Sequence, residues 1–214
     1  MNKDGSTILA KPERDDHSRY DRAYFDHWYR DPETRVKSCA SIRRKSALVV
    51  SVAEYYLERP VRSVLDVGCG EGNWLSTLRS FRPKIHYTGI DSSIYAVERF
   101  GKKRGIRYGT FANLEECGLK DSYDLILCSD TLFYLSLAEL NRGLASLATR
   151  TGGVAFLELY TDKDSLIGDF PSGGLQSASF YRKLLKKYGF ATIGSHCYLG
   201  PRISHHAMQL ERGD

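Results

Sequence analysis

Short apolar runs alternate with amphipathic stretches through the middle of the chain. The apolar runs carry hydrophobic residues at nearly every position, which is typical of strands buried on both faces of a parallel sheet. We predict strands at 63–67, 86–91, 106–110, 123–129 and 154–160. Helices are predicted between and after them, at 73–81, 93–104, 136–149 and 177–188. This alternation predicts an α/β fold: a doubly wound, mostly parallel sheet with helices on both faces.

The start of the chain has a different pattern. Residues 1–18 are charged and carry few large apolar side chains, so we predict a disordered tail. Residues 19–60 predict an N-terminal helical cap that begins with YDRAYFDHWYR, whose aromatic residues have helical spacing. The remaining residues, 61–214, are assigned to the sheet domain.

The C-terminal pattern predicts a hairpin. The segments FATIGSHCYL and RISHHAMQL flank Gly200 and Pro201, a turn signal, and we expect them to add an antiparallel strand at the sheet edge. His205 and His206 would then point to opposite faces of an edge strand, which makes them a poor metal pair.

Glycines at alternate positions follow the first strand in VLDVGCGEGN, residues 64–73. Gly68, Gly70 and the next glycine let the backbone approach a ligand at the carboxyl end of the strand. The dinucleotide pattern G-x-G-x-x-G fails because Asn73 replaces its last glycine, and no G-K-[ST] follows for a P-loop. Asp66 beside the loop disfavours an anion and favours an ammonium group.

A second acid defines the ligand further. Asp91 ends the second strand in YTGIDSS, where a carboxylate can accept hydrogen bonds from ribose hydroxyls. The site therefore suits a ribose beside a cationic group, without a pyrophosphate. S-adenosylmethionine (SAM) fits this description.

The segments VLDVGCGEGN, YTGIDSS and YDLILCSDTLFYL resemble the first, second and fourth motifs of class I SAM-dependent methyltransferases, over residues 62–160. The resemblance implies a seven-stranded sheet whose last strands form a reversed hairpin. It also implies roles for the loop residues. Gly68 and Gly70 would lie against the methionine moiety, Asp66 would help to hold its ammonium group directly or through water, and Asp91 would bind the ribose.

Further cofactor contacts are expected by position. Ser92 would lie beside the ribose and begin the next helix together with Ser93. The family often has an acid near adenine after the third strand, but this chain reads GTFANLEE. Phe111 and Asn113 are our candidates for the adenine contacts. Ser129, after the fourth strand, is also placed at the cofactor.

Three residues are candidates for catalysis. Asp130 follows the fourth strand and would act as a base or contact the SAM end; the alternative is a turn aspartate. Tyr134 is either a pocket wall or a core aromatic. Glu158 lies in an apolar strand, where a charge is costly, so it points into the site or pairs with a basic neighbour.

Aromatic residues of the cap could cover the cofactor and exclude water. Tyr20, Tyr24, Phe25 and Trp28 would form this wall, with Tyr24 at the cofactor, or else pack on the flank of the sheet. The glycine-rich loop at 161–177 would shape an acceptor pocket or lie as a surface excursion.

Composition limits the partners and the compartment. The 214 residues suit one domain, and a net charge of +5 is weak evidence for a polyanion, so nucleic acid is not favoured. Five cysteines without C-x-x-C spacing predict reduced thiols and a cytoplasmic protein. No Cys/His cluster has metal-ligand spacing. The longest apolar run, 47–53, is too short to cross a bilayer, so no membrane partner is expected.

We therefore predict a SAM-dependent methyltransferase that acts on an oxygen or nitrogen atom of a small-molecule acceptor, as a monomer or homodimer. The alternatives are an RNA or protein methyltransferase, which a basic groove beside Asp130 would favour, and a SAM-binding scaffold without turnover. The sequence does not identify the acceptor.

Overall fold

A seven-stranded sheet forms the centre of the computed structural model, which describes residues 20–35, 38–164 and 175–210. The predicted tail, 1–18, lies outside the described residues. The strands are β1 (Ser63–Val67), β2 (His86–Asp91), β3 (Ile106–Tyr108), β4 (Tyr123–Cys128), β5 (Thr151–Leu157), β6 (Ala191–Gly194) and β7 (Cys197–Leu199). Their order is β3-β2-β1-β4-β5-β7-β6. β1 lies between β2 and β4, so the strand order reverses beside it, where doubly wound sheets bind ligands.

The first five strands pair in parallel, and β7 runs antiparallel to both β5 and β6. This confirms the predicted fold class. The helices are α1 (Arg22–Phe25), α2 (Cys39–Leu57), α3 (Trp74–Phe81), α4 (Ile94–Arg104), α5 (Leu137–Arg150) and α6 (Ala178–Lys187). A π-helix at Asp26–Arg30 continues α1, and short 3₁₀ helices occupy Phe111–Cys117, Leu132–Tyr134 and Ser204–His206.

Two hydrophobic cores lie on the two faces of the sheet because strand side chains alternate between faces. Val64 and Leu125 are fully buried in the core that includes α2 and α3. Leu65 and Ile126 are fully buried in the core that includes α5 and α6. The nearly continuous apolar strands follow from this double burial. The helix α2 packs on one face of the sheet, and the segment that contains α1 and the π-helix lies at the carboxyl ends of the strands.

The C-terminal hairpin exists, but the predicted position of its turn was wrong. Both strands lie within FATIGSHCYL, and Ser195 and His196 form the turn with φ of 50° and 60°. A two-residue turn of this kind needs positive φ at both positions, and the absence of glycine removed the usual signal. Gly200 is instead packed tightly against β5, where an added Cβ would lie 2.5 Å from Cγ2 of Thr151.

The prediction that His205 and His206 lie on an edge strand was also wrong. Both belong to the short 3₁₀ helix, and their ring centroids are 4.2 Å apart. β5 ends at Leu157, so Glu158 follows the strand, although its N–H still donates to the Cys128 carbonyl at 2.9 Å. The division of the chain at residues 18 and 60 stays a prediction.

Candidate active site

The glycine loop after β1 is held by the backbone of β2. The N–H groups of Gly68 and Cys69 both donate to the carbonyl of Ile90, at 2.8 and 3.1 Å. Gly68 and Gly70 have φ of 70° and 53°, in the region that favours glycine. An added Cβ on Gly68 would lie 2.1 Å from Oγ1 of Thr131, and one on Gly70 would lie 3.0 Å from the Phe25 ring. Bare backbone is therefore required where the loop meets its neighbours.

Asp91 connects this loop to the helix that follows β2. Its carboxylate accepts hydrogen bonds from the N–H of Gly70 at 2.5 Å and of Ser93 at 2.8 Å. Burial raises the pKa of Asp91, and the two N–H donors act in the opposite direction. Ser93 caps α4 by accepting from the Ala96 N–H. The Asp91 side chain is held in one orientation at the cavity edge, with 8% of the residue exposed.

A cavity of about 320 Å³ opens at the carboxyl ends of β1, β2 and β4. Eight of the residues predicted at the site line it: Gly68, Gly70, Asp91, Ser92, Phe111, Asp130, Tyr134 and Tyr24. Its size is within the usual range for small-molecule pockets. The cavity brings together residues from five separate segments of the chain, as expected for a site at a topological switch point.

Four other predicted residues do not line this cavity. Asp66 is buried behind the glycine loop and accepts a hydrogen bond from the Tyr87 hydroxyl at 2.7 Å. Asn113 uses Oδ1 to accept from the Thr110 N–H at 2.6 Å, which caps the turn that carries Phe111. Ser129 and Glu158 lie deeper and form the network described below.

Aromatic residues of the cap cover the cavity, and they differ in one residue from the four that were predicted. Tyr20, Tyr24 and Phe25 line the cavity, whereas Trp28 is not among its lining residues and packs against His27, with ring centroids 4.5 Å apart. Tyr29 takes the remaining place. Tyr29 lies four residues after Phe25, on the same face of the helical segment, so helical spacing was the signal that could have found it.

Tyr29 is the main lining residue that the sequence interpretation missed. Its ring centroid lies 5.4 Å from that of Phe25. Burial raises the pKa of Tyr29 well above its ordinary value, and the nearby Tyr24, Asp130 and Asp91 act in the same direction. The hydroxyl therefore stays protonated and can serve as a hydrogen-bond donor in the cavity.

Polar contacts fasten the cap to the sheet. Arg30 forms an ion pair with Glu71, a buried residue of the glycine loop, and Tyr95 donates to the same carboxylate at 3.3 Å. The Ser93 hydroxyl donates to the carbonyl of Tyr20 at 2.5 Å. The cap is thus attached to the loop and to the start of α4, on both sides of Asp91.

Behind Asp130 lies a buried polar network around Glu158. The Lys45 ammonium group, from α2, pairs with one oxygen of Glu158, and the Ser129 hydroxyl donates to the other. Tyr160 lies near enough to Glu158 and Asp130 for both carboxylates to act on its pKa. Burial raises the pKa of Tyr160, and the two carboxylates raise it further. Glu158 therefore has a basic partner, which was one of the two expectations for it.

These features define the class of protein. A parallel sheet with a reversed β7, a glycine loop after β1, an acid ending β2 and a cavity at the switch point are those of a class I SAM-dependent methyltransferase. The chain belongs to the methyltransferase-domain family, whose model matches residues 40–196.

Curated relatives share part of their length with this chain. A malonyl-[acyl-carrier protein] O-methyltransferase of Bacillus cereus is 28% identical over 183 residues, which cover 82% of this chain and 64% of the relative. The enzyme of the same name from Anoxybacillus flavithermus is 30% identical over 79 residues, covering 36% of this chain and 30% of that protein. The chain thus spans less than two thirds of these relatives.

Solved structures support the fold. A putative sarcosine dimethylglycine methyltransferase of Galdieria sulphuraria has a TM-score of 0.59 at 18% identity, covering 82% of this chain and 76% of that one. A SAM-bound amino pentose methyltransferase of Micromonospora echinaspora has a TM-score of 0.58 at 15% identity, with coverage of 77% and 92%. Magnesium protoporphyrin IX methyltransferase of Synechocystis, with SAM bound, has a TM-score of 0.56 at 20% identity, with coverage of 86% and 91%.

The residues present fit SAM. The glycine cradle leaves no room for a Cβ at Gly68, and Asp91 is held at the rim by two backbone donors. Among the described residues, no group of three or more histidine, cysteine, aspartate or glutamate side chains is arranged to hold a metal ion. None of the described helices is both long and apolar enough to cross a membrane.

Proposed function

We propose that this chain transfers the methyl group of SAM to an oxygen or nitrogen atom of a small-molecule acceptor. The observation that carries the proposal is the cavity in which the glycine loop, Asp91 and the tyrosines of the cap meet. SAM supplies a methyl group that is activated by its positively charged sulfur.

On the donor side, the main chain at Gly68 and Gly70 would contact the methionine part. Asp91 would accept the ribose hydroxyls, with Ser92 beside it, and Phe111 would lie against adenine. Asp66 adds negative charge behind the loop, close to the expected ammonium group, without lining the cavity. Tyr24 and Tyr29 would close the cavity from above.

On the acceptor side, methyl transfer requires an in-line approach of the nucleophile. Orientation of this kind can lower a barrier by roughly 7–11 kcal/mol in favourable cases, so positioning matters more than acid–base chemistry. Asp130 and Tyr134 line the cavity and are the proposed acceptor contacts. Asp130 would take the proton if the acceptor must lose one. Exclusion of water by the cap would strengthen these interactions.

The charges of the cavity support a small acceptor that is not a polyanion. The described residues that line it include Asp91, Asp130 and Glu139, and no lysine or arginine. A nucleic acid would bring phosphates to this wall, where the carboxylates would repel them. The cap also covers the cavity, which leaves little room for a macromolecule.

Carboxyl O-methylation is the second candidate, because the name of the Bacillus cereus relative describes this activity. A carboxylate acceptor usually requires a cationic partner in its site. The described lining residues supply none, so hydroxyl or amine acceptors are favoured.

The test combines binding and turnover. Calorimetry with SAM and S-adenosylhomocysteine should show one site, and formation of S-adenosylhomocysteine should be followed with hydroxyl, amine and carboxyl acceptors, including a malonyl thioester. Turnover with a hydroxyl or amine compound supports the proposal. Turnover only with the thioester supports the second candidate. Absence of SAM binding contradicts both, and binding without turnover would indicate a scaffold.

We also propose that the protein works in the cytoplasm as a monomer or homodimer. All five cysteines are free, and Cys69, Cys128 and Cys197 are buried, which suits a reducing compartment. Sedimentation velocity measures the oligomeric state, and fractionation of cells followed by immunoblotting measures the location.

A further inference from the structure

A second groove lies at the edge of the sheet, beside α6 and the strands β6 and β7. Its volume is about 770 Å³, larger than that of the active-site cavity, and the two share no lining residue. We call it the α6 groove. It is defined by Ser179, Arg182, Lys183 and Lys186 from the helix and by Thr192 and Tyr198 from the strands.

The helix side of the α6 groove is positively charged. Arg182, Lys183 and Lys186 are exposed, and their spacing places them on one helix face together with Ser179. None of these three cations forms an ion pair with another described residue. The described residues that line the groove include no aspartate or glutamate, whereas those of the active-site cavity include three carboxylates. The α6 groove therefore suits an anionic partner.

The floor of the α6 groove is apolar. Leu185 and Phe190 line it and belong to the core beside α6. Tyr198 packs against the same core but stays partly exposed. An apolar floor next to cations without partners favours an occupant that carries both apolar groups and negative charge.

The α6 groove also follows an open edge of the sheet. Ala191 and Thr192 of β6 line it, and in the part of the chain that the structure describes β6 pairs with no strand other than β7. The backbone groups on the outer side of an edge strand can pair with an added peptide. Ser179 and Lys186 are about 10 Å apart along the helix, and the four residues of β6 extend over about 13 Å. An extended peptide of a few residues matches both lengths.

We propose that the α6 groove binds an acidic segment of a partner protein, which lies extended beside β6 and adds one strand to the sheet. Its acidic side chains meet Arg182, Lys183 and Lys186, and its apolar side chains reach the floor at Tyr198. A nucleic acid would bring phosphates to the same cations, but it has no main-chain amides for β6. The inference goes beyond the proposed function, because none of these residues lines the active-site cavity.

Fluorescence anisotropy with labelled peptides tests the proposal on the full chain. The probe alternates glutamate with phenylalanine, because alternate side chains of an extended peptide point to opposite sides. Replacing its phenylalanines by serine should weaken binding about tenfold, since the apolar floor is then unused. Methylating its backbone nitrogens should also weaken binding about tenfold, since the main chain then lacks donors for β6.

Two lysine pairs provide a matched comparison of charge. Lys183→Gln with Lys186→Gln should weaken binding of the probe about tenfold, as expected for two exposed charge interactions. Lys102→Gln with Lys103→Gln removes the same charge from exposed positions on α4, outside the groove, and should change the affinity less than about twofold. Ser179→Glu adds a carboxylate to the groove in the first turn of α6, where negative charge favours the helix, and should weaken binding about threefold.

Each outcome supports or overturns the proposal. It is overturned if wild-type protein does not bind the probe, or if the two lysine pairs lose the same affinity, because binding would then follow net charge alone. Equal binding of the N-methylated peptide would exclude addition of a strand. A single-stranded oligonucleotide that binds more tightly than the peptide, and less tightly after Lys183→Gln with Lys186→Gln, would assign the groove to nucleic acid instead.

Two further measurements separate this inference from loss of folding and from the proposed function. Urea titrations check that each variant is folded. Failure of wild-type protein to bind S-adenosylhomocysteine in calorimetry would contradict the proposed function and leave the α6 groove untouched. The lysine variants should bind S-adenosylhomocysteine as the wild-type protein does.

Discussion

The site has a donor half, made of the glycine loop and Asp91, and an acceptor half, made of Asp130, Tyr134 and the buried network around Glu158. The two halves are built in different ways. The donor half depends on backbone groups: the Gly68 N–H donates to β2, and Asp91 accepts from Gly70, 21 residues earlier in the chain. The acceptor half depends on side chains brought together over long separations, such as Lys45 and Glu158, 113 residues apart. A backbone cradle needs particular residues at close spacing and tolerates little change. A side-chain network can be rebuilt with other residues, so acceptor specificity can vary on a constant donor site.

The largest expected effect is at the donor half. Gly68→Ala places a Cβ 2.1 Å from Thr131 Oγ1 and at a strained φ, so SAM affinity should fall about a hundredfold by calorimetry. Gly194→Ala is the matched control, because Gly194 also has positive φ, 88°, but nothing lies within 4 Å of an added Cβ. That variant should lose about 1 kcal/mol of stability and keep its SAM affinity. Equal SAM affinity for the two variants would refute the steric cradle.

At the acceptor half, loss of one charge should reduce stability. Lys45→Met removes the ion pair between the Lys45 ammonium group and the buried Glu158, and it should lower the free energy of unfolding by about 2–3 kcal/mol in urea titrations. Arg22→Met is the control: it breaks the exposed ion pair with Asp26 and should change the free energy of unfolding by less than about 0.5 kcal/mol. If both variants lose the same amount, the Glu158 network does not stabilise the acceptor half.

The sequence predicted the donor half better than the acceptor half for the same physical reason. Gly68, Gly70 and Asp91 lie at the ends of recognisable strands, so strand positions alone bring them together. The basic partner of Glu158 could be expected from the cost of burying a charge, but its identity as Lys45 depends on how α2 packs. Tyr29 shares a helix face with Phe25 at i, i+4 spacing, but the sequence does not show which face of the cap segment turns toward the cavity.

The hairpin shows the same limit in the fold. Strands β1 to β5 follow from burial on both faces, and their existence and order of occurrence were predicted. The turn at Ser195 and His196 lacks glycine, so the prediction shifted to Gly200, which is a glycine for close packing against Thr151. The presence of a glycine in the sequence does not show whether it forms a turn or allows close packing.

Asp124 lies at the amino end of β4, away from both halves of the site, and serves as a reference for effects on stability alone. Burial acts to raise the pKa of Asp124, but hydrogen bonds from Arg59 and from the N–H groups of Arg62 and Ser63 keep it below its ordinary value. The ionised carboxylate therefore adds stability above its ordinary pKa, and this contribution is lost as pH falls through the lower pKa of the folded state.

Asp124→Asn should therefore lower the free energy of unfolding by about 1–2 kcal/mol at neutral pH. At an acidic pH near or below the ordinary pKa of an aspartate, the loss should be smaller. Urea titrations at both pH values measure this, and SAM affinity should stay unchanged. A larger loss in acid than at neutral pH would show that the sign of the pKa shift is wrong.

The smallest effect is expected where the cap joins the donor half. Arg30→Met removes the ion pair with Glu71, so SAM should dissociate about fivefold faster in stopped-flow displacement, with a small change in unfolding. Arg43→Met, on α2 away from the cavity, serves as the control for loss of a surface arginine. An unchanged dissociation rate in Arg30→Met would mean that the cap does not retain the cofactor through this contact.

A crystal structure with S-adenosylhomocysteine tests the central claim most directly. The account predicts the nucleoside in the cavity beneath Tyr24 and Tyr29, with both ribose hydroxyls on the Asp91 carboxylate and the sulfur on the side of Asp130. Electron density for the compound outside this cavity, or a ribose without contact to Asp91, would contradict it.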